Sequence, residues 1–336
     1  MGYSITGGPE VLELLERPVP EPGPGEVRIR VAVSGLNPTD CKSRRGLGLA
    51  AGNEFELMVP HQDGAGTVDA VGGGVDPSRV GERVWIWEAA WQRTEGTAQE
   101  YVVLPEHQAV HLPDGATFEL GASLGIPALT AHRCLTVGAE GPINLRPGAL
   151  HGRTVLVAGG AGAVGHAAIE LAGWAGASVI ATVSSAEKAR MSAAAGAAVV
   201  NYRESDPVAA IRSLAPDGVD LVIEVAPAAN ASLDRAVVGP SATIAVFNHD
   251  GELRLLPYAY MGLNTRYQFV LVYTVPAEAK TGAVRDVTAA VAAGAMGVGE
   301  EAGLRLHRFR LEQTQAAHAA VEANLVGKAL IDLGPA

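Results

Sequence analysis

The sequence predicts an α/β protein: a Rossmann-type, doubly wound parallel sheet domain together with a β-rich domain built from the first third. Three observations carry this. The stretch Thr154-Val-Leu-Val-Ala-Gly-Gly-Ala-Gly-Ala-Val-Gly165 runs from a short apolar segment through clustered glycines into a helical pattern, as the first βα turn of a dinucleotide-binding fold does. From Gly121 onward, Ala- and Leu-rich helical stretches alternate with buried-type strands at Val155–Ala158, Val179–Thr182, Ala198–Asn201, Leu221–Glu224 and Thr243–Phe247. That alternation is the signature of a parallel sheet with crossover helices. Before Gly121 the chain instead reads as short strands separated by glycines.

In that first part, Val27-Arg-Ile-Arg-Val-Ala-Val33 alternates as a half-buried strand should, and Gly64–Gly74 and Gly81–Trp87 read as further short strands. With 336 residues, 48% of them hydrophobic, the chain is long enough for two domains with sizeable cores. A net charge of −11 argues against a nucleic-acid or anionic-membrane partner, which clustered Lys and Arg would serve. No apolar run reaches transmembrane length, and Met1–Glu10 lacks the basic and apolar regions of a secretory signal. The expected location is cytoplasmic. Cys41 and Cys134 are too few for a disulfide scaffold or a four-thiolate zinc site and are expected as free thiols.

Within the glycine stretch, Gly160, Gly162 and Gly165 fit G-x-G-x-x-G: a tight turn, a close backbone approach to a pyrophosphate, and close packing of helix on strand. An ordinary glycine-rich loop gives the same pattern, but here a strand precedes it, a helix from Val164 to Ala175 follows, and Ser178–Thr182 returns at βαβ spacing. The free N–H groups of the helix beginning near Ala163 and Val164 are then phosphate donors. The internal position of this motif, and the absence of any Tyr with Lys four residues on, exclude a short-chain dehydrogenase. Gly138–Gly152, rich in Gly and Pro, reads as a surface connection.

After the second strand an NAD site places Asp or Glu, whereas a 2′-phosphate needs neutral and cationic groups. The strand end reads Thr182-Val-Ser-Ser185, followed by Lys188 and Arg190, which favours NADPH over a solvated helix start with ordinary charges. Glu187 lies beyond the expected position and is available to cap the helix after Ser185. Tyr202, ending the third strand, offers a hydroxyl on the phosphate side.

At this point the chain resembles the zeta-crystallin-like NADPH quinone oxidoreductases, the zinc-independent branch of the medium-chain dehydrogenase/reductase superfamily. The stretches that carry the resemblance are Gly7–Leu12, Gly35-Leu-Asn-Pro-Thr-Asp40, Asp63-Gly-Ala-Gly66, Gly125–Ala131, the glycine loop, Gly196–Arg203 and Gly327-Lys328, in this order. The resemblance implies a GroES-like catalytic domain beginning at 1–125, a Rossmann NADPH-binding domain at 126–263, and a return segment at 264–336 that completes the catalytic domain. It implies NADPH as cofactor, homodimers or tetramers, and a cofactor cleft lined by Asn37, Thr130, Ser184, Lys188, Tyr202, Phe247 and Lys328. Zinc members of the superfamily carry Cys where this chain has Asn37, His where it has Gln62, and a third ligand near Pro127. Amides are poor zinc ligands, so no metal is expected, and His61 beside the ligand position reads as a lone structural histidine.

Without a Lewis acid, the chemistry the resemblance implies is hydride transfer from NADPH to a quinone or to an α,β-unsaturated carbonyl. The Asn37 amide and Lys42 ammonium are candidates for the oxygen that gains charge, with Asp40 to order them, and a structural role stands open for each. Lys42 and His132 stand where relatives commonly carry Tyr, and Asn248-His249-Asp250 replaces small residues after Phe247, so Asn248 joins the expected cofactor contacts. Trp85, Trp87 and Trp91 read either as aromatic walls for a flat acceptor or as packing. An enoyl or enone reductase, and an NADPH-binding protein with little turnover, are the alternatives. Arg266–Val275 reads as a sheet-edge strand at a dimer seam, in which Val270→Pro would remove a pairing N–H.

Overall fold

The computed structural model describes residues 1–47, 54–138 and 141–334. In chain order the first elements are β1 (Glu26–Leu36), α1 (Pro38–Arg44), β2 (Asp63–Val71), β3 (Arg83–Ile86), β4 (Tyr101–Pro105), β5 (Ala109–His111) and α2 (Phe118–Leu135). The alternating βα series follows: β6 (Thr154–Ala158), α3 (Ala163–Trp174), β7 (Ser178–Val183), α4 (Ala186–Ala194), β8 (Ala198–Asn201), α5 (Pro207–Leu214), β9 (Val219–Glu224), α6 (Pro227–Val237) and β10 (Val238–Val246). The chain closes with α7 (Pro257–Met261), β11 (Arg266–Phe269), α8 (Ala277–Ala292), β12 (Leu306–Arg310), α9 (Thr314–Glu322) and β13 (Lys328–Asp332). It divides into two compact units, Met1–Ile126 with Leu306–Ala336, and Pro127–Arg305. Among the described residues no helix is long and apolar enough to cross a membrane.

The first unit is built on a sheet ordered β12-β13-β1-β2-β3-β5, with β4 on β1. β1 alternates buried and half-buried residues over its first half and is buried throughout its second, because its two edges carry β2 on one side and β4 then β13 on the other. Register shifts at Arg28/Ile29 and Val31/Val33 let this long strand bend across both halves. Val27, Ile29, Val31, Val84, Ile86, Val102 and Leu104 form the core beneath it. β13 returns antiparallel to β1, setting Leu330 opposite Gly35. The predicted strand Gly64–Gly74 ends at Val71, since Gly72 to Gly74 turn the chain and Gly74 has φ +87°.

The second unit is a six-stranded sheet ordered β11-β10-β9-β6-β7-β8, parallel at every pairing. Each predicted strand of the alternating series is present, and Ala198–Asn201 matches β8 residue for residue. The order reverses beside β6, which pairs with β9 on one edge and β7 on the other. That is where doubly wound sheets bind ligands.

Three sequence expectations change here. The nucleotide-binding segment, expected to stop at 263, extends to Arg305, because β11 adds in parallel to β10 and α8 buries Ala283, Val287, Ala290 and Val291. The edge strand expected over Arg266–Val275 is only Arg266–Phe269, followed by a turn at Val272–Thr274. The Val270 N–H donates to Val246 O at 2.7 Å, so a proline there cuts the unit's own sheet rather than a seam. Of the expected surface connection Gly138–Gly152, residues 139–140 lie outside the described residues; Leu145 and Leu150 are buried.

Candidate functional site

In the second unit most of the expected cofactor residues follow the carboxyl ends of four strands of the parallel sheet. The glycine loop follows β6, Ser184, Ser185 and Lys188 follow β7, Tyr202 follows β8, and Phe247 and Asn248 follow β10. The left-handed residue of the loop is Gly159 (φ +71°), one position before the motif, so the tight turn expected of Gly160 falls to its neighbour. Gly160 packs instead: a Cβ there would stand 2.8 Å from Ala181 Cβ and 2.7 Å from Ser192 Oγ. Gly165 admits no side chain because its Cβ would meet Gly159 O at 2.5 Å. Gly162 N-caps α3, no side chain caps that end, and a Cβ at Gly162 would reach only Gly159 O, at 3.5 Å. An open glycine before the free N–H groups of Ala163, Val164 and Gly165 fits a phosphate.

After β7, Ser185 accepts from Lys188 N at 3.3 Å as the N-cap of α4, and Lys188 Nζ donates to Ser184 Oγ at 3.1 Å. The Glu187 carboxylate leaves the cap to Ser185 and pairs with Arg305 at 2.6 Å. Tyr202 is exposed, with its backbone N–H on Val183 O. Phe247 N donates to Glu224 O, Asn248 Nδ2 donates to Val225 O at 3.1 Å, and the Asp250 carboxylate accepts from Ala228 N and Ala229 N. The unusual Asn248-His249-Asp250 segment is thus tied to the start of α6. Thr130 is buried on α2.

His132 is buried and meets Asp286 at 2.9 Å, and Asp286 also accepts from Leu145 N at 2.7 Å. Its place is a structural tie within this unit. A second buried pair escaped the sequence reading. Glu224 accepts from Ala226 N and Asn230 Nδ2, and burial together with the Glu224 charge pushes Asp234 far above the usual carboxylate range.

In the first unit Asn37 precedes α1 and is buried. Its N–H donates to Asp40 Oδ2, its Nδ2 to Asp63 Oδ2, and its Oδ1 accepts from Lys328 Nζ, each at 2.7 Å. Asp63 Oδ1 accepts from Ile126 N at 2.8 Å, and Lys328 Nζ lies 3.4 Å from Asp63 Oδ2. Lys328 and Asp63 are 2% and 0% exposed. Burial raises Asp63 and lowers Lys328, while each charge holds the other in its ionised form. Burial, with the Asp63 charge adding to it, pushes Asp40 well above the carboxylate range. The structure therefore brings Asn37, Asp40 and Lys328 together around Asp63, which sequence reasoning did not single out as the hub. Lys42 leaves α1 about 200° around the helix from Asp40 and is half-buried.

Behind this cluster runs a buried chain of polar groups. Cys41 Sγ lies 3.4 Å from His318 Nδ1, His318 Nε2 3.0 Å from His61 Nε2, and His61 Nδ1 2.8 Å from Ser34 Oγ. Ser34 Oγ lies 2.7 Å from Thr97 Oγ1, which donates to Asp63 O at 2.5 Å. His61, expected as a lone histidine, has partners on both sides. Gln62 Oε1 accepts from Ala90 N, and among the described residues no three His, Cys, Asp or Glu side chains are grouped to hold a metal. Trp85 and Trp87 are buried in the unit and serve packing rather than an aromatic wall.

Two families match this chain: the alcohol dehydrogenase GroES-like domain over residues 23–114 and the zinc-binding dehydrogenase family over 163–274. A quinone oxidoreductase of Pseudomonas aeruginosa is 40% identical over 195 residues, which are 58% of this chain and 55% of the relative, so the match spans about half of that protein. The quinone oxidoreductase of Rattus norvegicus is 31% identical over 262 residues, covering 77% of this chain and 75% of the relative. Among solved structures, mycobacterial Rv1454c complexed with NADPH is similar with a TM-score of 0.79 at 29% identity, covering 98% of both chains. An NAD-dependent alcohol dehydrogenase is similar with a TM-score of 0.84 at 28% identity, covering 99% of both.

Proposed function

The chain belongs to the quinone oxidoreductase family, in the zinc-independent branch of the medium-chain dehydrogenase/reductase superfamily, and on that premise we propose that it is an NADPH-dependent reductase of quinones or α,β-unsaturated carbonyls. The observation that carries the cofactor choice is the turn after β7, where Ser184, Ser185 and Lys188 converge and the carboxylate next to Lys188 in the chain, Glu187, is held by Arg305. A 2′-phosphate finds hydroxyls and an ammonium there, whereas a ribose 2′-hydroxyl finds no strand-end carboxylate. The α3 N-terminus takes the pyrophosphate, and Tyr202, Phe247, Asn248 and Thr130 complete the binding surface of the second unit. The dinucleotide, when bound, supplies the hydride.

The first unit supplies polar groups for the acceptor. Asn37 Nδ2 has two hydrogens and gives one to Asp63; the other serves the oxygen that gains charge, as an oriented donor in a dry environment. Asp40 fixes the Asn37 backbone and Lys328 fixes the amide oxygen, while Lys42, on the other face of α1, is left out of this group. A homodimer or tetramer in the cytoplasm completes the reading. Fluorescence titration of NADPH and NADH tests the cofactor: NADPH is expected to bind at least about tenfold tighter, roughly 1.4 kcal/mol, and Lys188→Ala to remove most of the difference. Equal affinities would sink the assignment. NADPH consumption with a quinone and an enone, in excess chelator, then separates reductase from binding protein and the two acceptor classes from each other.

A further inference from the structure

The charge that threatens a phosphate site beside α4 is Glu187, one residue from Lys188 in the first turn. Its carboxylate is drawn away by Arg305, whose Nη1 lies 2.6 Å from Glu187 Oε1 and whose Nε lies 3.0 Å from Glu300 Oε1. Glu187, Arg190, Met191 and Ala194 form one face of α4 and, with Glu300, Glu301 and Arg305, line a cavity of about 330 Å³. Lys188 instead turns to Ser184. Arg305 is held where it is by backbone. Gly299 and Leu304 exchange two hydrogen bonds, of 2.8 and 3.0 Å, and Gly303 (φ +87°) lies so close to α4 that a Cβ there would overlap Met191 O.

We propose that Arg305 is a specificity-determining residue for the phosphorylated dinucleotide: by pairing with Glu187 it keeps a carboxylate off the Ser184–Lys188 cradle. The inference rests on the NADPH reading above. A free Glu187 would compete for the Lys188 ammonium and repel a phosphate well within a Debye length, about 8 Å in physiological salt. Both Glu187 and Arg305 are partly exposed, so water screens the pair and the expected effect is several-fold rather than a hundredfold. A ribose carrying only hydroxyls has no charge to repel, so NADH is indifferent to the pair.

The test is a double-mutant cycle on the full chain, with dissociation constants for NADPH and NADH read by fluorescence titration. Arg305→Gln is expected to weaken NADPH about fivefold while NADH changes less than twofold. Glu187→Gln alone is expected to shift NADPH less than twofold, and in the Arg305→Gln background to restore it to within twofold of wild type. That non-additivity is the signature of pairing. The proposal is overturned if Arg305→Gln weakens both cofactors alike, or if Glu187→Gln acts by the same factor in both backgrounds. A wild type that binds NADPH and NADH equally overturns the phosphate reading itself, and this proposal with it.

Discussion

Replacing Lys328 by Met removes an ammonium and keeps the stem, in a place where water cannot take over. The lost contacts are the 2.7 Å bond to Asn37 Oδ1 and the 3.4 Å pairing with Asp63. Breaking one side of a buried ion pair costs about 3–5 kcal/mol, and leaving the buried Asn37 oxygen without a donor adds about 1 kcal/mol. Asp63 keeps Asn37 Nδ2 and Ile126 N as donors, which draws the total back to about 3–4 kcal/mol. The cost depends on pH in a defined direction. Burial already raises Asp63, and loss of the ammonium raises it further. A carboxyl raised in the folded state gives stability that is fully present below its unfolded value, near pH 4, and is lost as pH rises through its folded value. The penalty of Lys328→Met therefore shrinks toward acid and grows as pH rises. Urea unfolding followed by tryptophan fluorescence measures it, because Trp85, Trp87 and Trp91 all lie in the first unit; a Trp174→Phe background silences the other. A penalty equal at about pH 5 and pH 8, or below about 1 kcal/mol at pH 8, would refute the reasoning, as would failure of Asp63→Asn to recover stability in the variant.

In the glycine loop, Gly165→Ala places a Cβ 2.5 Å from Gly159 O; a loss of about 1–3 kcal/mol and of NADPH-dependent thermal stabilisation is expected by calorimetry, and an unchanged thermal shift contradicts the role of this close approach. At the β11 edge, Phe269 is 64% exposed, and Leu271, Tyr258 and Met261 of the same unit are exposed too, so Phe269→Asp should convert an associated wild type to monomer in light scattering; a monomeric wild type at micromolar concentration contradicts the seam. Asp234→Asn relieves a carboxyl whose folded value is raised, so its gain over wild type should appear only as pH rises. Thermal scans at about pH 6 and pH 9 check this, and the same gain at both values excludes the buried charge as its source.

The parallel sheet was legible because its strands are buried on both faces, leaving uninterrupted apolar runs between glycines. The polar turn after β7 was legible for a different reason, since hydroxyls and a lysine at a strand end are a local pattern. The pairing of Asp63 with Lys328 was not, the two being 265 residues apart and joined only when β13 closes on β1. Glu187 looked like an ordinary helix-start charge until Arg305, 118 residues on, gave it a partner. Trp85 alternates as readily in a packed strand as in a pocket wall, and only burial separates the two.

The chain from Cys41 to Asp63 has a direction that its last member imposes. A peptide oxygen only accepts, so the Thr97 hydroxyl must give its hydrogen to Asp63 O and take one from Ser34, which in turn takes one from His61 Nδ1. His61 Nε2 is then bare and receives the hydrogen of His318 Nε2, which leaves His318 Nδ1 bare toward Cys41. Both imidazoles are fixed as neutral tautomers, in keeping with burial lowering His318 to about 3. At the far end sulfur must carry a hydrogen, and burial pushes that thiol up to about 12. Burial, with the Asp40 and Glu322 charges adding to it, thus makes Cys41 a poor nucleophile at neutral pH, which leaves its thiol slow to react with electrophiles.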